Sequence, residues 1–329
     1  MINQQTALFA VVDEPYLLWE EDIRVKALEF LDSIDPGYFE FLARQGVQYL
    51  DDGNQGKHSA AACRIGFFQG AETLLLLIGA LLQAPHSPQA FVALCKTDQL
   101  RELRNRITLE QPLELLAPRL PKLSWEAVAR LVHAKASSDP EKVATLAAGF
   151  ASFWRRLAEE CAESTQIEEY NSLKHGFRVG HGGIQIDIGP ELTSAGEIPP
   201  DARWQSLGGS KTGSSFYRLE VAGGDSKSNR SRMCSQVFVN WSHQTMIVAL
   251  QMVACSINNV LCALRLINGA PTGSQSFKYP TESEAFAAAW TTSPALRNAS
   301  IDAQLNAARS TSKDELLGQW RDRLSRPIA

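Results

Sequence analysis

Residues 59–82 read SAAACRIGFFQGAETLLLLIGALL, and this stretch decides the fold. Taken as one helix it is apolar nearly all round, and such a helix is normally central to a bundle. Its longest apolar run, Ala71 to Leu82, contains Glu72 and is too short to span a bilayer. The stretch therefore predicts the middle helix of a helical bundle.

Further helices are predicted on both sides of this stretch. From Tyr16 to Leu50 the apolar residues recur at three and four positions, with a break at residues 35–37, which predicts an amphipathic helix pair. Asp139-Pro140-Glu141 is typical of a helix start, and we expect that helix to run to about His175. Residues 247–266 predict a second buried helix, ended by Asn268-Gly269.

The segment from Gly176 to Trp241 has a different character. Glycines punctuate it, and the runs 184–188 and 216–221 alternate with period two, which predicts two or three antiparallel strands. We therefore predict a mainly α fold, a helical bundle with a small antiparallel β insertion. Residues 1–329 would form a single helical domain, with a β-hairpin insertion at 177–241 and a C-terminal helical tail at 282–326.

Composition limits the classes of function. The chain has 329 residues, 44% of them hydrophobic, and a net charge of −4, which argues against a general nucleic-acid coat protein but leaves room for a local basic patch. The six cysteines form no CxxC pair and no metal-type spacing with the histidines. We expect a reduced, cytoplasmic protein with no metal, no cofactor and no membrane segment.

The segment from Tyr170 to Arg178 is the main candidate site. Asn171, Lys174 and His175 lie at i, i+3 and i+4, so one helix face presents all three, and Arg178 follows shortly after. In one interpretation the segment binds an anion or a nucleotide, with histidine as acid or base and the cations on phosphate. In the other, these cations simply suit the end of a helix. Tyr170 is either a stacking platform or a residue at the core edge.

Two further groups of residues are candidates for ligand binding. Arg64 and Glu72 share a face of the apolar helix, where they form either a structural ion pair or a polar pocket near the 171–178 segment or near residues 256–265. The glycine-rich segment 203–232 carries an excess of basic residues, among them Lys211, Arg218 and Arg230. These loops either guide a phosphate backbone or are an ordinary solvated hairpin.

The segment Tyr170-Asn171-x-x-Lys174-His175-Gly176 at a helix end, with Phe68-Gln69-Gly70-Ala71-Glu72-Thr73 on an earlier helix, resembles the HEPN superfamily (higher eukaryotes and prokaryotes nucleotide-binding). The similarity covers about residues 16–270. Active HEPN ribonucleases carry an arginine, four to six residues and then a histidine, and no histidine of this chain follows an arginine at that interval. Lys174 and His181 have the interval, with lysine in place of arginine.

The resemblance implies an all-α core, frequent dimerisation and, in many members, metal-independent RNA cleavage or a role in phage defence or toxin systems. On that basis His175, Lys174 and Arg178 would be catalytic, and the implied partners are RNA or a nucleotide, an antitoxin or defence-system protein, and a second copy of the chain. The alternative is a non-catalytic interaction or ligand-sensing module whose polar cluster is structural.

Overall fold

The chain folds into two compact units in the computed structural model. The helical unit comprises Met1–Lys174 and Trp241–Ser293, and the β unit comprises His175–Asn240 and Pro294–Ala329. The residues that the structure describes are 7–13, 16–19, 24–113, 120, 122–176, 178–189, 198, 203–222, 231–290, 294, 296–302, 308–309 and 312–324. Helices dominate and the sheets are small and antiparallel, which confirms the predicted mainly α fold class.

The helical unit contains one short hairpin followed by helices. Its elements are β1 (Ala7–Ala10), β2 (Tyr16–Trp19), α1 (Arg24–Ser33), α2 (Gly37–Gln48), α3 (Gln55–Gln83), α4 (Pro88–Leu94), α5 (Thr97–Thr108), α6 (Trp125–His133), α7 (Pro140–Glu160), α8 (Ser164–Lys174), α9 (His243–Ile267) and α10 (Ala285–Ala288). The predicted helix pair therefore begins later than Tyr16, because the bulky residues of β2 pair with β1 instead.

Helices α3 and α9 form the centre of this unit, and α2 packs on both of them. Small residues allow the close approach: a Cβ atom added to Gly70 would lie 2.6 Å from Val253 Cγ1, and one added to Gly46 would lie 2.6 Å from Ile247 Cγ1. The Trp154 indole of α7 donates to Ser256 Oγ of α9 at 2.9 Å. Residues 247–266 thus belong to the core of the helical unit, as predicted.

Helices α3 and α9 are also long and apolar enough to cross a membrane, with mean hydropathies of 1.8 and 1.9. The structure buries 72% and 78% of these apolar windows inside the protein. Burial of that extent is compatible with core helices of a soluble protein.

Helix α7 begins as predicted, because the Asp139 carboxylate accepts hydrogen bonds from the backbone N–H groups of Glu141 and Lys142. The prediction that this helix continues to His175 is wrong. It ends at Glu160, residues 161–163 turn the chain, and α8 starts again at Ser164. The break matters for the site, because it resets which face of α8 is directed at α3.

The described residues of the β unit form two antiparallel sheets. One pairs β4 (Gln185–Ile188) with β5 (Gln205–Gly209), and the other has the order β3-β6-β7-β8, with β9 also on β7. The strands of this larger sheet are β3 (Gly180–His181), β6 (Gly213–Ala222), β7 (Ser231–Asn240), β8 (Asn298–Asp302) and β9 (Ala308–Arg309). The predicted helical tail at 282–326 is thus partly wrong: of the residues described in that range, only α10 and α11 (Lys313–Leu324) are helical, and β8 and β9 extend the sheet.

Candidate functional site

Arg64 of α3 is almost fully buried and is bound by residues of α8. Its Nε and Nη2 atoms donate to the two carboxylate oxygens of Glu169 at 3.1 and 2.6 Å, and Glu169 is 0% exposed. Nη2 also donates to Gln166 Oε1, and Nη1 lies 3.3 Å from Met246 Sδ. All three guanidinium nitrogens are therefore engaged, and two charges that would each be expensive to bury alone are paired.

Aromatic rings close the surroundings of this ion pair. The Arg64 guanidinium carbon lies 4.5 Å from the centroid of the Phe68 ring and 5.6 Å from that of Trp241. Phe68 in turn stacks on Tyr170 at 5.0 Å. The ring faces favour the cation and keep solvent away from it, so Arg64 holds α3, α8 and the start of α9 together and is not open to a ligand.

Glu72 lies two turns further along α3, at the solvent edge of the same face. The Tyr170 hydroxyl donates to Glu72 Oε2 at 2.5 Å, and Lys174 Nζ lies 3.5 Å from both carboxylate oxygens. Burial, followed by the hydrogen bond to Glu72, raises the pKa of Tyr170 above its ordinary value. Tyr170 is therefore a neutral donor at physiological pH, and Lys174 Nζ lies 5.4 Å from the centroid of its ring.

The predicted contact between Glu72 and the 171–178 segment is confirmed through Lys174, whereas the partners of Arg64 lie outside that segment. Both residues bind polar groups of α8, and these groups are Gln166, Glu169, Tyr170 and Lys174. Asn171 is exposed on the same helix. The inward face of α8 is formed by Gln166, Glu169 and Leu173, at a spacing of three and four.

The remaining cluster residues follow the end of α8. His175 and Arg178 are both exposed and belong to the β unit, whereas Asn171 and Lys174 belong to the helical unit. Gly176, with a φ of +100°, ends the helix in the left-handed conformation that glycine adopts most readily. The polar residues at the end of α8 are thus accessible to solvent, and contacts with Glu72 and Tyr170 hold Lys174 in place.

The candidate residues of the β unit are spread over separate elements. His181 lies on β3, opposite Ser214 of β6. Lys211 is exposed in the turn between β5 and β6, and the Arg218 guanidinium donates to Glu220 Oε1 at 2.6 Å. Arg230 lies outside the described residues. Within the described part of this unit, Glu220 offsets the charge of Arg218 and leaves Lys211 as the exposed cation of the β5–β6 turn.

A second buried polar group, which the sequence did not predict, is centred on Asn259 of α9. His133 is 0% exposed, Asn259 Nδ2 donates to its Nε2 at 3.1 Å, and its Nδ1 pairs with the Ala129 carbonyl. Asn259 also exchanges two hydrogen bonds of 2.7 Å with the backbone of Lys278. Burial lowers the pKa of His133 to about 4, so this imidazole is neutral at physiological pH. The signal in the sequence for its burial is the apolar stretch around it in α6, whereas its contact with Asn259, 126 residues later, leaves no local pattern.

The described residues give little support for a metal site or for a nucleophilic cysteine. No group of three or more histidine, cysteine, aspartate or glutamate side chains there could hold a metal ion. Burial raises the pKa of Cys63 and of Cys95 to about 11, so both are protonated thiols and poor nucleophiles at physiological pH.

The chain matches no known protein family, no curated protein and no solved structure in the comparisons made with each.

Proposed function

We propose that the protein is HEPN-like with an RNA-related or nucleotide-related role, and that the segment from Asn171 to Arg178 is its phosphate-binding surface. The observation that carries the proposal is the exposure of Asn171 and Lys174 on the last turn of a helix whose other face is locked to α3. A rigid backbone beneath exposed donors is the arrangement that a binding site requires. Lys174 is 47% exposed, so its ammonium reaches solvent while Glu72 limits its motion.

Ribonuclease chemistry is the catalytic form of this proposal. His175 would take the proton of a ribose 2′-hydroxyl, whose oxygen attacks the adjacent phosphorus while the bond to the 5′-oxygen breaks, leaving a 2′,3′-cyclic phosphate. The Lys174 and Arg178 cations would stabilise the charge that develops on the phosphate, and the departing 5′-oxygen would take its proton from water. No step requires a metal ion. The protein would act in the cytoplasm, in phage defence or as a toxin held by an antitoxin.

The test compares Lys174→Ala and His175→Ala with Lys57→Ala, an exposed lysine at the start of α3. We expect the first two variants to lose RNA binding, RNA cleavage in the presence of EDTA, or toxicity to cells, and the third to keep them. All three should unfold within about 1 kcal/mol of the wild type, because exposed pairs contribute that little. A wild-type protein that neither binds nor cleaves RNA nor harms cells would overturn the proposal.

A non-catalytic interaction module is the second candidate. The hydrogen bonds of the buried cluster favour this second function. Arg64 and the Tyr170 hydroxyl already have partners within the protein, so they are not available to bind a substrate. In that case the cluster only fixes α8 on α3. Mutation of Lys174 or His175 would then leave every activity of the protein unchanged.

A further inference from the structure

A cavity of about 330 Å³ lies on the helical unit, away from the polar residues of α8 discussed above. Glu40 and Arg44 of α2 form one wall, Met252 and Cys255 of α9 form the floor, and Pro280 and Ala285 close the third side. Apart from the two charged residues and a glutamine at the edge, the lining is apolar. Pockets that bind small molecules have this volume and this mixture of an apolar wall with a few polar groups.

The third wall is held in place by buried amides. Asn259, which is 0% exposed, pairs through both of its amide atoms with the backbone of Lys278, and Asn258 Nδ2 donates to the Ser276 carbonyl at 2.9 Å. An extended segment held by side-chain hydrogen bonds at two points does not collapse into the space in front of it. The cavity is therefore preformed, and a ligand would not have to order its wall on binding.

The charged side chains at the rim of the cavity indicate which kind of ligand it binds. Lys278 Nζ lies 2.5 Å from Glu40 Oε1, so the negative charge of Glu40 at the rim is already paired with an ammonium group. Arg44 adds a second cation, and it forms no ion pair with any residue that the structure describes. The rim thus has one unmatched guanidinium, whose planar donors fit a carboxylate in a bidentate manner.

The volume of the cavity indicates how large the ligand is. A volume of about 330 Å³ lies at the lower end of the range for pockets that bind small molecules, which favours a ligand of roughly ten non-hydrogen atoms. We propose that this cavity binds a small organic monocarboxylate, with an apolar body of about seven carbons on Met252 and Pro280 and its carboxylate on Arg44. The site is independent of the phosphate-binding proposal, because it shares no residue with it.

Octanoate, which has ten non-hydrogen atoms, is the probe, with 1-octanol as the neutral comparison. Cys255 in the floor reports occupancy through its alkylation by iodoacetamide, measured by peptide mass spectrometry, and Cys95, which is half-buried outside the cavity, is the internal control. Burial raises the pKa of both thiols, so both react slowly and can be compared. Octanoate should slow Cys255 alkylation in a saturable manner in about the millimolar range and leave Cys95 unchanged.

Two variants separate the charge from the cavity. Arg44→Gln, at an exposed position, should weaken octanoate binding about tenfold, to the level of octanol. Ala285→Trp should fill the space and abolish protection of Cys255 by either compound. Octanol that protects as well as octanoate, an Arg44→Gln variant with unchanged binding, or absence of saturable protection at about 10 mM octanoate would each overturn the proposal.

Discussion

The buried pair of Arg64 and Glu169 gives the sharpest prediction for stability. Glu169→Gln keeps the shape of the side chain but leaves the Arg64 guanidinium without its counter-charge, in a place where Arg64 is 3% and Glu169 0% exposed. Breaking one partner of a buried pair typically costs about 3–5 kcal/mol, because an uncompensated charge remains. For a folding unit of this size, each kcal/mol corresponds to about 2–4 °C in Tm, so we expect a fall of roughly 6–20 °C.

The double variant Arg64→Met/Glu169→Leu tests the reasoning behind that number. It removes both charges and keeps apolar volume, so its free energy of unfolding should lie within about 1 kcal/mol of the wild type. Glu126→Gln is the matched surface control: its pair with Arg130 has 53% and 64% exposed side chains and should contribute less than about 1 kcal/mol. Urea unfolding followed by circular dichroism measures all four proteins. A Glu169→Gln variant no less stable than Glu126→Gln would refute the argument.

Three other predictions concern individual contacts. Gly46→Ala should destabilise the protein by about 1–3 kcal/mol in urea, because its Cβ would lie 2.6 Å from Ile247 Cγ1, whereas Gly53→Ala, with open space around it, should not. His133 has a folded-state pKa of about 4, below its unfolded value, so the unfolded chain binds the extra proton between about pH 6.5 and 4. Stability should therefore fall as the pH is lowered through that window, and more steeply in the wild type than in His133→Leu; equal slopes would count against a neutral buried imidazole. Tyr170→Phe should cost about 1–2 kcal/mol through loss of the bond to Glu72, measured by thermal unfolding, and an unchanged Tm would show that water replaces the bond.

Local signals in the sequence predicted much of the helical unit. The Asp139 cap and the proline after it mark the start of α7, and Gly269 follows the end of α9 with a φ of +95°. The core helices were predictable because apolar composition over more than twenty residues leaves few alternatives. These features depend on neighbours in sequence, so one chain is sufficient to recognise them.

Features that depend on distant pairing were harder to predict. Residues 161–163 contain neither glycine nor proline, so nothing local marked the break between α7 and α8. A continuous helix predicts Arg64 or Glu72 beside Asn171 or His175, whereas the restarted helix directs Gln166 and Glu169 at Arg64. Strands β8 and β9 likewise owe their conformation to β7, whose paired residues lie roughly 60 to 80 positions earlier in the sequence.

The order of the elements along the chain also constrains how the protein is made. Helix α3 ends at Gln83, but its main packing partner α9 is complete only at Ile267, after the first segment of the β unit has been translated. At about 5–20 residues per second, the ribosome needs roughly 10–40 seconds to deliver that partner. During this interval the surface of α3 that α9 covers in the folded protein has no partner, although α2, α4 and α5 can already pack on the helix. The nascent chain therefore exposes an apolar helix face until α9 leaves the exit tunnel.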